Sequence, residues 1–349
     1  MSDRFADADR LEEFAAACFR SAGFKEADAA LQAETLVWAN RRGIDSHGLA
    51  LLRIYLEFIE KGFMNPNPKI QVITETAATI LVEADRSFGP VATVPVMDQC
   101  IAKARDVGVA WGMVRNCAHQ GAMSYYTSMA VDAGMAGIIS CCNIPGAAPP
   151  GSRSPTVSTG PLAFTVPGKE RAPLSLDMAT SVVARGKVEV AIDRGVSISE
   201  EWALDDHGRP TTDPNEVVMM QSMGNYKGYG MALMFECLAS LMSGSPLITP
   251  IVQETEPISP GHNNSWMCVV DISKFTNLEA FRSNADALAD TMKGLPTVVG
   301  SDPIMVPGEK ETKAFGERKE SGIPLPPGTM AKLKWAAAHC QVPLPSELT

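Results

Sequence analysis

The chain has 349 residues, 45% of them hydrophobic, with a formal charge of −10. That length and apolar content support a sizeable core and room for two domains. An acidic chain with no basic block is a poor partner for nucleic acid or an anionic membrane surface. No run of 18 apolar residues occurs and the first residues are polar, so neither a membrane span nor a secretory leader is expected. Eight cysteines and five scattered histidines, with no CxxC or HExxH, describe neither a disulfide scaffold nor a metal site. The expectation is a reduced, cytoplasmic protein without a metal.

Residues 6–40 read as two helices broken at Ser21-Ala22-Gly23-Phe24. Asp45-Ser46-His47-Gly48 then precedes apolar residues 49, 52, 56 and 59 at helical spacing. Asp45 and Ser46 stand where a capping side chain belongs, which puts His47 near the start of a third helix. Unpaired amides there favour an anion. Gly62 and Asn65-Pro66-Asn67-Pro68 end that helix, so the first 70 residues form a helical region.

Beyond residue 70 the pattern alternates: strand 79–83, helix 89–105, strand 109–114, helix 121–133 and strand 136–141. Such alternation implies a sheet covered by helices. Residues 142–187 are rich in Gly, Pro, Ser and Thr, interrupted by apolar pieces at 162–166 and 174–177. Gly208-Arg209-Pro210 and the residues after it read as a surface turn. The apolar stretch 228–242 reads as a helix buried between layers. Strand 267–271, helix 275–292, a turn-rich segment 293–330 and a closing helix 330–339 complete the chain. The fold class is α+β with α/β-like layers. The expected division is a helical region of residues 1–72, completed by about 300–349, and a mixed-sheet domain of 73–299.

No GxGxxG follows a strand, and neither GxxxxGK[ST] nor GxSxG occurs, so a Rossmann fingerprint is absent. The chemistry must come from single residues. His119 falls between the second strand and a helix, at the carboxyl end where layered folds hold ligands. An imidazole there moves a proton near neutral pH. Asp177 follows a short apolar strand, where it can cap the next helix, hold a ribose hydroxyl or orient a histidine. Lys227 stands between glycines at a helix start, where it can meet a phosphate. Arg153 and Lys187 are further cations in the loop region.

Taken in order, Asp45-Ser46-His47-Gly48, Asn116 through Gly121, Asp177-Met178-Ala179-Thr180-Ser181, Gly186-Lys187, Lys227-Gly228 and Pro307-Gly308-Glu309 resemble one family. It is the malate/L-lactate dehydrogenase family of the second type, unrelated to the Rossmann lactate and malate dehydrogenases. The resemblance runs from about residue 8 to residue 325. It implies an NAD(P)-binding domain on a mixed, non-Rossmann sheet beside a helical part, with the active site between them and a homodimer as the assembly. It implies His119 as the acid/base and His47 as its partner at a small carboxylate substrate, with Ser46 beside it. Gln120, Gly121, Asp177, Met178, Ala179, Lys227 and Gly228 are the implied cofactor contacts.

The chain departs from the family where an arginine follows the first histidine by four residues. Leu51 occupies that place, and the arginine comes at Arg53. Arg53 is the candidate substrate cation of this segment, although two helical residues correspond to a turn of about 200°. Ser158-Thr159-Gly160-Pro161 lacks the family's asparagine, and Gln120 replaces its phenylalanine. These differences surround the substrate more than the cofactor. The readings are an NAD- or NADP-dependent oxidoreductase of a 2-hydroxy/2-oxo acid, a reductase of a cyclic imino acid, and a non-catalytic binding protein on the same scaffold.

Overall fold

The structure is a computed structural model that describes residues 3–255 and 259–348. A short strand β1 (Arg4–Ala6) leads into α1 (Ala8–Ser21) and α2 (Glu26–Arg41). Asp7 starts α1 by accepting from the amides of Asp9 and Arg10. Leu11, Phe14, Ala15 and Cys18 form its buried face, and α2 buries Ala29, Ala33 and Leu36 against it. These are the two expected helices.

The third helix begins later than expected. Asp45–His47 and Leu49–Leu51 are single 3-10 turns, and α3 (Leu52–Glu60) follows. Neither Asp45 nor Ser46 caps it. The break falls at Gly48, whose backbone is extended. A Cβ there would lie 2.3 Å from Oδ1 of Asn40, so only a residue without a side chain lets the chain pass against it.

The sheet domain contains β2 (Gln71–Glu75), β3 (Thr79–Glu83), α4 (Gly89–Val107), β4 (Val109–Cys117), α5 (Ser124–Asp132) and β5 (Ala136–Cys142). It continues with β6 (Pro161–Val166), β7 (Leu174–Ala179), α6 (Arg185–Arg194), β8 (Ala203–Leu204), β9 (Met219–Met220), α7 (Tyr226–Phe235), α8 (Ile248–Val252) and β10 (Asn263–Val270). The chain closes with α9 (Leu278–Lys293), α10 (Glu309–Ser321), β11 (Ile323–Leu325) and α11 (Pro327–Cys340). Seven strands form one sheet in the order β2-β3-β4-β10-β5-β6-β7. The pair β3–β4 is parallel and joined through α4, while its other neighbouring pairs are antiparallel, so the sheet is mixed.

α4 and α5 cover one face over Val82, Val96, Met97, Tyr126, Ile139 and Met267. The other face packs Met113, Phe235 and Trp266 beneath α7. The chain ends join the first helices. β1 pairs with β11, and Ile323, Leu325, Met330, Leu333 and Leu348 share a core with α1, α2 and α3. Among the described residues no helix is long and apolar enough to cross a membrane.

Two sequence expectations change, and one strand, β2, went unread. The helix at 228–242 is not enclosed: Leu233, Met234, Leu241 and Met242 are exposed, and residues 236–241 continue as a π-helical segment. Segment 293–330 contains α10 and β11. α10 buries no residue, so it carries no apolar stripe to reveal it, although its acidic first turn and basic last turn suit the helix dipole. β2 is exposed along its whole length and shows no alternation for the same reason.

Gly89 lets the start of α4 press against the backbone that carries His119. A Cβ on it would stand 2.2 Å from Cα of Gln120 and 2.5 Å from the carbonyl oxygen of His119. Gly89→Ala is expected to cost about 1–3 kcal/mol by overpacking and to displace His119. Gly316→Ala, in open space on α10, is expected to stabilise by roughly 0.5–1 kcal/mol through helix propensity. Denaturant melts of the two variants check both signs.

Candidate active site

The site is built where the carboxyl end of β4 meets the helical layer. β4 ends through Asn116, whose φ of 52° is left-handed. Its amide donates to Oδ1 of Asn264 at 3.0 Å and its side chain donates to Glu83 at 2.9 Å. Asparagine tolerates this conformation, and the bonds hold it. Ala118 N–H donates to the carbonyl of Ser87 at 2.9 Å. His119 therefore leaves the sheet in a fixed direction, with α4 behind it at Gly89.

His119 meets His47. Their rings lie 5.6 Å apart between centroids and 23° from parallel. Tyr55 of α3, 1% exposed, brings its hydroxyl within 2.5 Å of Nδ1 of His119. Burial holds the phenol well above its usual titration range, so it keeps its proton. The Tyr55 hydroxyl fits either neutral tautomer of His119, donating to a bare Nδ1 or accepting from Nδ1–H, and the second leaves Nε2 free to accept a proton. Ser46 Oγ lies 3.0 Å from Nδ1 of His47 in the same way. Burial lowers the pKa of both imidazoles. The neighbouring His47 adds to the effect at His119, which is pushed down to about 3. At His47 the Asp177 carboxylate opposes it. Both rings are therefore neutral at neutral pH, as a proton acceptor must be.

The loop that carries His47 is clamped from two directions. Buried Asn40 donates to Oδ1 of Asp45 at 2.6 Å and accepts from Leu49 N–H at 2.8 Å. Arg318 of α10 grips Asp45 with two nitrogens, at 2.6 and 2.8 Å, and also donates to the carbonyl of Asn40. Gly186, in the first turn of α6, closes on Ser46, where a Cβ would come to 2.8 Å of the serine Cβ.

Asp177 stands on the edge strand β7. Its Oδ2 accepts from the amide and hydroxyl of Ser124, at 2.8 and 2.7 Å. It thus satisfies the start of α5, not of the helix that comes after it in sequence. Lys227 is exposed in the first turn of α7. That turn is pressed against the exit of β7, because a Cβ on Gly228 would lie 2.3 Å from the carbonyl of Thr180. Gly308, at φ 86°, packs on Ser175, whose amide donates to Pro307 at 3.1 Å. Three separate segments therefore border strand β7, whose Asp177 carboxylate acts on His47.

Against known proteins, the sequence profile described as malate/L-lactate dehydrogenase matches residues 6–334. The chain belongs to that family. It is 34% identical over 328 residues to a malate dehydrogenase of Pyrococcus horikoshii, covering 91% of this chain and 90% of that one. It is 33% identical to the ureidoglycolate dehydrogenase (NAD(+)) of Escherichia coli O157:H7, covering 87% of each. The structure superposes on that of a malate dehydrogenase from Entamoeba histolytica with a TM-score of 0.93 at 27% identity, over 98% and 99% of the two chains. This family member is an oxidoreductase.

In this dehydrogenase the fold brings together His47, His119, Ser46 and Asp177, and sets Met178, Ala179, Lys227 and Gly228 along the neighbouring edge. Gly121, at φ 75°, lies with open space where a side chain would be. Two expected contacts stand apart. Arg53 bonds Glu57 at 2.8 Å and lies over Trp335 at 4.9 Å, facing α11 and solvent instead of the histidines. Gln120 is 2% exposed; its side chain donates to Thr93 and Ser265, and its carbonyl accepts from the Tyr126 hydroxyl, so it faces the interior instead of a ligand. Leu51 packs on the helical core. Sequence reasoning missed Tyr55, Asn40, Ser124 and Arg318. Tyr55 sits among apolar residues of an amphipathic helix, and the partner of Arg318 is 273 positions away.

Two outcomes test this arrangement. Arg318→Ala is expected to lower kcat/KM about tenfold or more through a misplaced His47, with far-UV circular dichroism unchanged. Arg318→Lys should restore it only in part, because the two-point grip is lost. The histidines also set a pH dependence. Their folded pKa values lie below the ordinary 6.5, so under that pH the unfolded chain takes up protons that the folded chain refuses. Stability should fall as pH drops below about 6.5, and His119→Gln should flatten that slope in thermal melts.

Proposed function

We propose that this protein transfers a hydride between a nicotinamide cofactor, NAD or NADP, and a small 2-hydroxy or 2-oxo carboxylic acid. The observation that carries this reading is the His47–His119 pair, with Tyr55 on Nδ1 of His119, placed beside the β7 edge. Family membership supplies the reaction class, and one relative is named for NAD(+).

The residues present fit a dinucleotide. The edge of β7 exposes Asp177 as an acceptor suited to ribose hydroxyls. Lys227, at the amino end of α7, offers an exposed cation to phosphate. The close approaches at Gly228 and Gly308 hold these pieces to the strand. Met178, Ala179 and the backbone of Gly121 complete the proposed contacts. When bound, the nicotinamide ring supplies or accepts the hydride.

The chain's own residues do the rest. In oxidation, the neutral ring carries its proton on Nδ1, and the bare Nε2 takes the hydroxyl proton to give the imidazolium. In reduction, the imidazolium gives its Nε2 proton to the substrate oxygen and returns to the neutral ring. Tyr55 suits both directions, because its hydroxyl oxygen accepts from Nδ1–H in either state. His47, held by Ser46 and the Asp45 clamp, fixes the other side of the substrate. The carboxylate needs a cation, and Arg53 and Arg318 are committed elsewhere. Exposed Lys187, next to the Gly186–Ser46 contact, is the cation we assign to it. The exposed Leu233, Met234, Leu241 and Met242 are consistent with burial against a second copy in a homodimer.

A panel of 2-oxo acids and cyclic imino acids, scored with NADH and NADPH by absorbance loss, tests the reading. Turnover is expected on 2-oxo acids. None on the panel, with ligand binding retained, would overturn the substrate class. In the same assay His119→Ala should lower kcat on the order of 10²–10⁴ while NADH fluorescence still reports binding. Lys187→Met should raise KM about tenfold with little change in kcat. Near-native rates in the first variant would remove His119 from its role.

A further inference from the structure

β10 carries two buried polar residues that no step of the proposed chemistry uses. Asn264 is 1% exposed and Ser265 is 0% exposed. They stand opposite the end of β4, where the pairing slips. Asn263 pairs with Cys117 and Ser265 with Val114, so Asn264 alone faces both Arg115 and Asn116. β4 therefore bulges at the residues that lead to His119. A bulge leaves one residue outside the ladder and bends its strand. Here Oδ1 of Asn264 accepts from the Asn116 amide at 3.0 Å, so a side chain takes the place of a ladder carbonyl.

Neighbours in a strand point to opposite faces of the sheet, and these two reach different layers. Asn264 donates to Ser240 Oγ at 3.1 Å and to the Ser245 carbonyl at 2.8 Å, in the π-helical segment and the turn after it. The Ser245 hydroxyl in turn donates to Oδ1 of Asn116 at 3.1 Å. Ser265 serves the α4 face. Its hydroxyl accepts from Nε2 of Gln120 at 2.9 Å, and the same nitrogen donates to Thr93 of α4 at 2.7 Å. The Tyr126 hydroxyl of α5 takes the Gln120 carbonyl at 2.6 Å. His119 thus sits in a short turn, 116–120, whose first residue is tied to one layer and whose last is tied to the other.

We propose that Asn264 and Ser265 are positioning residues for His119, clamping the turn 116–120 from the two faces of the sheet. The inference rests on the acid/base role read for His119 above. Without the Asn264 side chain the Asn116 amide loses its partner in a half-buried place, and the bulge is released. A displacement of about 1 Å at a proton-transfer group costs on the order of 100-fold in rate. The loss falls on kcat, because the clamp orients a group that acts in the transition state and does not itself hold the ground-state substrate. The clamp also gives Gln120 its use. Phenylalanine, the family's residue there, offers Ser265 and Thr93 no hydrogen bond.

The test uses the full-length protein with carbon-13-labelled histidine. The imidazole signals of His119, identified by their loss in His119→Gln, report its surroundings without any turnover. Asn264→Ala and Ser265→Ala are expected to shift them. On a 2-oxo acid with saturating reduced cofactor, kcat should fall about tenfold and about threefold respectively, with KM within about twofold. Ser265→Thr, which keeps the hydroxyl, should restore both signals and rate. Val269→Ala, fully buried on the same strand but away from the turn, should lower the melting temperature and leave signals and kcat near native. If Asn264→Ala does not fold, the two Ser265 variants decide the matter. Unmoved His119 signals in the alanine variants, or the same shift in Val269→Ala, would overturn the clamp. A wild-type protein that turns over no 2-oxo acid would instead remove the catalytic reading, and the signals would still decide the clamp.

Discussion

The grip on Asp45 is the interaction on which the site depends. The loop from Asp45 to Leu51 has two single turns, no side-chain cap and a glycine break between them. Such a segment has few backbone bonds of its own to hold a side chain still. Asn40 bonds it from inside the helical core, and Arg318 holds it from α10 with two parallel hydrogen bonds. Removing either would leave polar groups unpaired at a half-buried place. The position of His47 is thus decided by residues from both ends of the chain.

The second constraint is the seam between layers. The sheet contributes His119 and Asp177, and the helical layer contributes Ser46, His47 and Tyr55. Neither layer holds the histidine pair by itself. Phe88 and Ala118, from the sheet side, share the helical core with Phe24 and Tyr55, so the seam is packed. Gly89 fits the same logic, since only a residue without a side chain lets α4 approach the His119 backbone. The low polarity of this seam keeps both imidazoles neutral, and Asp177 limits the effect at His47.

Much of this was legible in the chain. The periodicities of α1, α2, α4 and α11 and the apolar runs of β3 to β7 arise from burial on one face, which sequence spacing records directly. The ordered motifs around His47, His119, Asp177 and Lys227 pointed to a family that the profile match establishes. Elements without a buried face left no such trace, as β2 and α10 show. The apolar helix α7 misled for the opposite reason: its outer residues are apolar yet exposed.

The sequence by itself determined the elements with a buried face, the family and the two histidines, because these come from local spacing and from short motifs kept in order. The tertiary structure decided who touches whom. Tyr55 is 64 positions from His119, and Arg318 is 273 from Asp45. No local pattern carries such a separation, since it depends on how the layers stack. The same holds for Asp177, which turns toward Ser124 of an earlier helix, and for Arg53, which two residues of helical rotation send to Trp335. Backbone conformation is written locally, whereas a site is a meeting of distant surfaces brought about by packing.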